Sequence, residues 1–359
     1  MTTKQKITLY SLLALFFIVI YVLVAVKPLG KELKLIPQWK ITITDRALAV
    51  ENASKKIPFQ LGQILGYFTP EGEIALLTSY PFQGTISSSY WATYPADSKK
   101  TSVYTPDLVG LQQSPLFTID RPGFPFFSED RIYIFTPGGY GVAHYNPQGE
   151  EVWSFEGYAP ITAFASSSSG TAIGYANGSL VTYTTEGELK QVFEPGGSQY
   201  PIILGTAISE SGNFLACVSG IDQQRFVLTK ETNGLNKVVF HTYLQGNLRV
   251  PVLVKFSSDE KLVYYSCYQG LGVVNTENYS HTMLPVKGQI VAIEESETTN
   301  ITLVLTKNKD DYTVYLIENG DSVIGSFSYQ AKSSFIVVDE DDLYIGKDVE
   351  ILKLHLAQN

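Results

Sequence analysis

The sequence predicts an all-β chain built from a repeated four-stranded unit, and residues 158–195 contain one complete copy of that unit. Four short alternating segments in this stretch are separated by turns at 166–170, Asn177-Gly178 and Glu186-Gly187. Strand-length runs divided by Gly and Asn turns are typical of an antiparallel meander. The abundance of Tyr and Phe, together with Val, Ile and Thr, also favours strand over helix.

A motif that recurs at a regular spacing predicts how these units are arranged. A proline followed by two strand-forming residues opens a segment at Pro115, Pro160, Pro201 and Pro251. The spacings are 45, 41 and 50 residues, and each proline is followed by a serine-rich or acidic turn and an apolar strand. A four-stranded unit that repeats every 40–50 residues or so is the expected period of a β-propeller blade.

Counting the copies predicts seven blades. The units start near residues 60, 115, 159, 200, 249, 288 and 331, and the last contains only three strands. A strand predicted to begin at Trp39 remains at the other end, and pairing of residues 39–51 with the C-terminal strands completes the seventh blade. Closing the ring in this way removes an exposed sheet edge. The first unit, 60–107, is longer than the others, so we expect an insertion over 87–105.

Residues 7–26 are predicted to form a transmembrane signal anchor. This stretch is almost entirely apolar, and twenty helical residues span roughly 30 Å, the thickness of the hydrocarbon core of a bilayer. A cleaved signal peptide is the alternative, but its apolar region is usually only about 7–15 residues long and no small-x-small cleavage site follows here. No cysteine follows either, which excludes a lipoprotein anchor.

The anchor divides the chain into four predicted parts. Residues 1–6 are a cytoplasmic tail, residues 7–26 the anchor, residues 27–38 a linker and residues 39–359 the propeller. Lysines flank both ends of the anchor, so the charge distribution leaves its orientation open. A short tail before a large domain favours export. We therefore expect a single-pass protein of the cell membrane, with its propeller on the extracytoplasmic (periplasmic or extracellular) side.

The charge and cysteine content exclude several classes of function. Lys and Arg total 26 against 35 Asp and Glu, which gives a net charge of −9, and only five residues are arginine. Nucleic acid is therefore an unsuitable partner, because phosphate binding needs clustered Lys and Arg. Two cysteines exclude a disulfide framework, and we expect Cys217 and Cys267 to be buried thiols.

No pattern in the sequence indicates catalysis, and we expect no enzyme activity, cofactor or metal. The four histidines are scattered and show no metal-ligand spacing. The acidic turn 339–342 lacks the glycine that lets a calcium loop bend sharply. No nucleophile elbow, phosphate loop or dinucleotide fingerprint occurs.

Aromatic residues and one arginine indicate a binding face. In a propeller, the loops that lead into the first strand of each blade lie on the same face as the loops between its second and third strands. Loops of the first kind carry Tyr158, Tyr200 and Arg249, just before the repeated prolines, and those of the second kind carry Tyr80, Phe82, Tyr140 and Tyr268. Such residues are enriched in binding hot spots. The alternative interpretation is that some of the many tyrosines simply fall in loops.

The segment Tyr145-Asn-Pro-Gln-Gly149-Glu-Glu-Val-Trp153 resembles the repeats of PQQ-like propellers, in which a turn with glycine leads into a strand ending in tryptophan. Tyr183-Thr-Thr-Glu-Gly187-Glu-Leu-Lys is similar. The chain thus resembles the PQQ-like and WD40-like β-propeller families over most of residues 39–357, although the Gly-His and Trp-Asp pairs of WD40 repeats are absent. The resemblance also extends to membrane-tethered bacterial scaffold proteins of outer-membrane assembly, which are normally lipoproteins.

These observations predict a membrane-anchored propeller that acts as a protein-binding or scaffold module of the cell envelope. The expected partner is another envelope protein. The alternative is an enzyme or a quinone-cofactor protein that uses the central funnel, and a third possibility is a structural envelope protein whose propeller spaces other components.

Overall fold

The computed structural model describes residues 10, 12–21, 33–43, 55–107, 114–246, 248–268, 270–296 and 298–358. Tyr10 and residues 12–21 are helical. Across these described ranges, no helix combines the length and the apolar character that a membrane crossing requires. The predicted tail 1–6, the remainder of the predicted anchor and residues 27–32 of the predicted linker lie outside the described residues.

In the described part of the chain, seven sheets of three or four antiparallel strands form most of the ring and are numbered here in chain order. Sheet 1 contains β2 (Ile57–Leu61), β3 (Ile64–Phe68) and β4 (Ile74–Ser79). Sheet 2 contains β9 (Phe124–Ser128), β10 (Arg131–Phe135), β11 (Gly141–Tyr145) and β12 (Glu151–Glu156). Sheet 3 contains β13 (Ile161–Ser167), β14 (Gly170–Tyr175), β15 (Leu180–Tyr183) and β16 (Leu189–Phe193). Sheet 4 contains β17 (Ile203–Ile208), β18 (Phe214–Ser219), β19 (Arg225–Thr232) and β20 (Leu235–Tyr243).

The remaining three sheets complete the series. Sheet 5 contains β21 (Val254–Phe256), β22 (Leu262–Cys267), β23 (Gly270–Asn275) and β24 (His281–Leu284). Sheet 6 contains β25 (Gln289–Glu295), β26 (Ile301–Asn308), β27 (Asp311–Glu318) and β28 (Ser322–Gln330). Sheet 7 contains β29 (Ser334–Asp339), β30 (Asp342–Lys347), β31 (Glu350–Gln358) and β1 (Leu33–Thr42). The predicted all-β propeller of antiparallel blades is confirmed with these seven sheets, and a split sheet adds a further sector to the ring.

The stretch predicted as an insertion over 87–105 belongs instead to a further sector of the ring. Two short two-stranded sheets lie within this stretch and on either side of it, and their strands are β5 (Gln83–Ile86), β6 (Trp91–Tyr94), β7 (Thr101–Val103) and β8 (Phe117–Ile119). The Trp91–Tyr104 bridge joins the two pairs, so we treat β5–β8 as one split sheet. Since β5 contacts β2 on one side and β9 on the other, the split sheet fills the space between sheets 1 and 2.

Apolar clusters at the joints between neighbouring sheets hold the ring together. The described residues form eight buried apolar clusters, and each packs one sheet against the next, the split sheet included. Between sheets 4 and 5, the rings of Phe226 and Tyr265 stack with centroids 4.1 Å apart. Phe155 and Tyr183 stack at 4.0 Å between sheets 2 and 3. The core is therefore a circle of sheet-to-sheet joints.

The ring closes by pairing of β1 with β31 in sheet 7. The register runs from Leu33 opposite Gln358 to Thr42 opposite Glu350, with an irregularity at Pro37. The strand begins at Leu33, so residues 33–38 of the predicted linker are strand residues instead. Proline is tolerated there because β1 is the outer strand of its sheet, where a backbone N–H is not needed for a further neighbour.

At two joints between neighbouring sheets, a tryptophan of one sheet packs on a glycine-containing turn of the next. Trp153, in β12, donates its indole N–H to the carbonyl of Thr185 at 3.1 Å, and Trp39, in β1, donates to that of Pro70 at 3.0 Å. Gly187 lies against Trp153 with φ +86°, and a Cβ there would come within 2.6 Å of the Trp153 side chain. Glycine is thus required at position 187 for both its backbone angle and its lack of a side chain.

The serine-rich and acidic turns found in the sequence form a hydrogen-bonded belt on one face of the ring. They join the first and second strands of their sheets, and each turn bonds the next one along. The four links are Ser168 N to Glu210 at 2.8 Å, Ser211 N to Glu260 at 2.6 Å, Ser258 N to Glu295 at 2.9 Å and Thr298 Oγ1 to Asp341 at 2.6 Å. This face, which also carries the turns between third and fourth strands, is called the lower face.

Candidate functional site

The opposite or upper face combines the two kinds of loop expected from the sequence. The loops leading into first strands are hydrogen-bonded to the loops between second and third strands. Gly157 N donates to Tyr140 O at 2.8 Å, and Gly220 N donates to Ile202 O at 2.8 Å. The two loop classes therefore form one continuous surface.

Most of the aromatic residues expected to bind a partner are exposed on this upper face. Tyr158 is fully exposed, and the exposed fractions of Tyr268, Tyr200, Phe82 and Tyr140 are 74%, 63%, 60% and 41%. Arg249 is also exposed. Phe82 lies between β4 and β5, so its loop joins two sectors of the ring rather than the second and third strands of one blade.

Tyr80 is the exception, because it is a core residue. Only 5% of it is exposed. Its hydroxyl donates to the carbonyl of Gly62 at 2.6 Å and accepts a hydrogen bond from the amide of Gln60. The ring packs with Leu65 and Trp91 in the joint between sheet 1 and the split sheet. Tyr80 therefore cannot contact a partner, which corrects the sequence-based assignment.

Asp222 holds the loop that presents Tyr200, and sequence reasoning missed it. Its carboxylate accepts hydrogen bonds from the hydroxyl of Ser198 and from the backbone N–H groups of Gln199 (3.1 Å) and Tyr200 (3.4 Å). These hydrogen bonds lower the pKa of Asp222 to about 2, and the bond from Ser198 has the largest effect. Asp222 and the residues it bonds lie more than twenty positions apart in the chain. The only local signal in the sequence is a Gly-Ile-Asp turn of ordinary composition, which does not indicate this contact.

An apolar pocket opens on the upper face between sheets 5 and 6. Its volume is about 290 Å³, and its apolar walls include Leu248, Val250, Val252, Cys267, Tyr268 and Ile290. The wall formed by Tyr268 is packed tightly against the loop before β21, since a Cβ on Gly246 would lie 2.6 Å from the Cβ of Tyr268. Two of the predicted residues, Tyr268 and Arg249, thus lie in or beside a preformed concavity.

The funnel at the lower face is occupied by structural bonds. A cavity of about 470 Å³ there is lined by Glu210, Lys255 and Glu295 together with phenylalanines. Glu210 and Glu295 accept belt hydrogen bonds from serine N–H groups. Lys255 donates to the carbonyl of Ile293 at 2.5 Å and lies 3.7 Å from Glu294. Burial raises the pKa of Glu294, and the nearby Lys255 opposes that rise.

The histidines and cysteines remain apart from one another. Within the described residues, no three His, Cys, Asp or Glu side chains form a group able to hold a metal ion. His281 shares a hydrogen bond with the Tyr265 hydroxyl at 2.8 Å. Cys217 and Cys267 are buried, as expected, and burial raises the pKa of the Cys217 thiol to about 12.

The closed ring of antiparallel sheets and its loop-built upper face define a β-propeller. A family model described as beta-propeller protein matches residues 1–359, and the chain belongs to this family.

One relative is similar to this chain in sequence, and two solved structures are similar to it in fold. The chain is 28% identical over 367 residues to an uncharacterized protein of Treponema pallidum (strain Nichols), covering 99% of this chain and 96% of the relative. The crystal structure of BamB from Moraxella catarrhalis superposes with a TM-score of 0.62 at 13% identity, covering 90% of this chain and all of that one. A chain of the Mitotic Checkpoint Complex gives a TM-score of 0.53 at 11% identity, covering 92% of this chain and 94% of that one.

Proposed function

We propose that this protein is a non-enzymatic binding module of the cell envelope whose upper face holds a protein partner. The observation that carries this proposal is the set of exposed aromatic side chains on one face of a rigid ring: Phe82, Tyr140, Tyr158, Tyr200 and Tyr268. Loops on a rigid scaffold are where recognition residues concentrate. Tyrosine contributes a large contact area at a low cost in side-chain entropy.

The composition of these loops supports a protein partner. The loops 136–140, 157–160, 176–179 and 244–253 are built mainly of Gly, Tyr, Pro, Asn, Gln and small or apolar residues, and their only charged residue is Arg249. Charged residues are depleted at the centres of protein interfaces, whereas aromatic residues and arginine are enriched there. The similarity to the two solved structures supports the propeller architecture and nothing further about the partner.

The proposal includes the location of the module. We place residues 7–26 in the membrane as a signal anchor and the propeller on the extracytoplasmic side. The support is the apolar composition of that stretch. Strand β1 of the ring begins at Leu33, a short distance along the chain after that stretch, so the ring would lie close to the membrane surface.

Co-purification from crosslinked membranes, followed by mutation, tests this function. The variant Tyr158→Ala/Tyr200→Ala/Arg249→Ala should stay folded, because exposed substitutions usually change stability by no more than about 0.5 kcal/mol. Its binding free energy for the partner should nevertheless weaken by about 1 kcal/mol or more for each residue that anchors the partner. The matched control changes Gln148, Glu186 and Asn233 on the lower face to alanine. If the control loses the partner while the first variant keeps it, the assignment of the face is wrong.

A further inference from the structure

The pocket between sheets 5 and 6 indicates what kind of segment the upper face binds. Resting on the function proposed above, we propose that this pocket receives one apolar side chain from an extended partner segment that carries acidic residues beside it. Three features of the pocket lead to this: its size, the charges beside it and its rigidity.

The size of the pocket suits a single side chain. Its volume of about 290 Å³ lies at the lower limit of roughly 300–1,000 Å³ for small-molecule sites. Val250 and Tyr268 stand at its mouth, with 50% and 74% of their surfaces exposed. Leu248, Val252 and Ile290 form apolar walls. An aliphatic or aromatic side chain entering here would cover these surfaces and gain the free energy of burying apolar area.

Two cations adjoin the pocket and have no acidic partner within the described part of the chain. Arg249 lies between the lining residues Leu248 and Val250, and Lys287 directly precedes the lining residue Gly288. Both are exposed. The segments 244–253 and 285–288 contain no Asp or Glu. Arginine binds a carboxylate through two parallel hydrogen bonds, so acidic residues beside the inserted side chain would supply the missing charge.

The overall charge of the chain makes this local pair of cations more informative. A net charge of −9 repels an acidic partner at a distance. Arg249 and Lys287 therefore act on the position of the docked segment rather than on its approach, since charges in contact fix register and specificity. A basic segment would be drawn to the protein generally but repelled at this pocket.

Hydrogen bonds from neighbouring loops fix the walls before any partner arrives. The buried amide of Gln224 donates to the carbonyls of Leu248 at 3.0 Å and Gly220 at 3.1 Å. The backbone N–H of Leu253 donates to the hydroxyl of Ser266 at 2.9 Å. A pocket that is already ordered avoids the entropy cost of forming on binding.

Fluorescence anisotropy with two labelled peptides tests the proposal on the folded protein. The acidic probe is Gly-Asp-Leu-Phe-Asp-Gly and the basic probe is Gly-Lys-Leu-Phe-Lys-Gly. We expect the acidic probe to bind more tightly than the basic one. Lys287→Glu and Val250→Asp should each weaken binding of the acidic probe about tenfold or more. Both residues are exposed, so the variants should elute and unfold like the parent protein. Lys332→Glu, an equal charge change on the same face beside sheet 7, is the matched control and should bind as the parent does.

Two results would overturn this proposal. One is that both probes bind equally tightly, or that neither probe binds. The other is an equal loss with Lys332→Glu, which would mean that general surface charge accounts for binding. The native partner separates this proposal from the function on which it rests. If Tyr158→Ala/Tyr200→Ala loses the partner while Lys287→Glu and Val250→Asp keep it, the pocket proposal fails and the binding face stands. If all of these variants keep the partner, both fail.

Discussion

Asp222 lies at the surface, yet its hydrogen bonds determine the conformation of the loop that carries Tyr200. A carboxylate that accepts several N–H and O–H groups stabilises its charged form, and a neutral amide has only one oxygen to offer in its place. The binding role proposed for Tyr200 thus depends on a residue that would not itself touch the partner.

Asp222→Asn should loosen this loop and weaken partner capture. The pKa of Asp222 is about 2 in the folded protein, against about 3.9 for an aspartate in an unfolded chain. Because the folded pKa is the lower one, the stabilisation is present above pH 4 or so and is lost as the pH falls from about 4 towards 2. The protection of the Gln199 and Tyr200 amides against hydrogen exchange, relative to an unfolded chain at the same pH, should fall in the variant and, at low pH, in the parent. Asp97→Asn on the same face is the control; equal exchange in the two variants would contradict this role.

Gly187→Ala should destabilise the ring more than a similar substitution at Gly234. Both glycines lie in turns between third and fourth strands, with φ +86° and φ +79°. Nothing lies within 4 Å of a Cβ built on Gly234, whereas one on Gly187 meets Trp153 at 2.6 Å. We expect the free energy of unfolding to fall by about 1 kcal/mol for Gly234→Ala, the cost of the backbone angle. A fall of roughly 2–4 kcal/mol is expected for Gly187→Ala, which also displaces Trp153. Urea unfolding of both variants gives the comparison, and equal losses would rule out the steric contribution.

At the scale of the elements, the repeat predicted from prolines and serine-rich turns corresponds to real strands. Pro160 directly precedes β13, Pro201 lies one residue further from the start of β17, and the turn after each of these first strands belongs to the lower belt. The repeat can be recognised in the sequence because each blade needs the same kind of turn between its first and second strands. The split sheet escaped prediction because its strands are only three or four residues long and no repeated proline opens it.

The candidate site could be predicted only in part. Loop position follows from counting strands, so the exposed tyrosines were found. Burial of Tyr80 depends on hydrogen bonds to Gln60 and Gly62 of its own sheet and on packing against Trp91 of the split sheet, contacts that the sequence does not reveal. The pocket beside Tyr268 combines loops from two sheets, and no local pattern in either loop marks it.

Removal of β1 should open the ring. Deleting residues 33–43 removes the pairing with β31, the 2.6 Å ion pair between Lys40 and Glu350 and the Trp39 contact with sheet 1. We expect aggregation, because an unpaired inner strand offers its edge to other chains, and a loss of stability well beyond the ~1 kcal/mol of a typical point mutation. Light scattering after size exclusion and thermal unfolding are the measurements. A chain that starts at residue 33 is the control, and a folded monomeric deletion protein would show that the ring closes without β1.

At the scale of the whole molecule, stability is distributed around the circle rather than concentrated in one centre. Each apolar cluster belongs to two sheets, and each belt link on the lower face joins two turns. A rigid ring of this kind keeps its upper face fixed while individual loops vary, which suits a surface that binds another protein.

The anchor proposed for residues 7–26 is tested on the intact protein. The protein should stay with the membrane pellet after carbonate washing and retain its initial residues, because twenty apolar residues suffice to span the bilayer. Protease added to intact spheroplasts should digest the propeller if it is exported. A mature N-terminus near Lys27 would instead indicate a cleaved signal peptide, and protection from protease would place the ring on the cytoplasmic side.

The pairing of β1 with β31 also has a consequence for the time course of biosynthesis. The ribosome makes residues 33–42 near the start of the chain, but their partners at 350–358 emerge near its end. Sheet 7 is therefore the last sheet that can form, and during translation β1 must wait without its native neighbour. Contacts between such distant segments form slowly, because a long loop has to close before they can stabilise the fold. An exported chain with this topology would reach its destination before its ring could close, and the unpaired β1 is where a periplasmic or extracellular folding factor would be most useful.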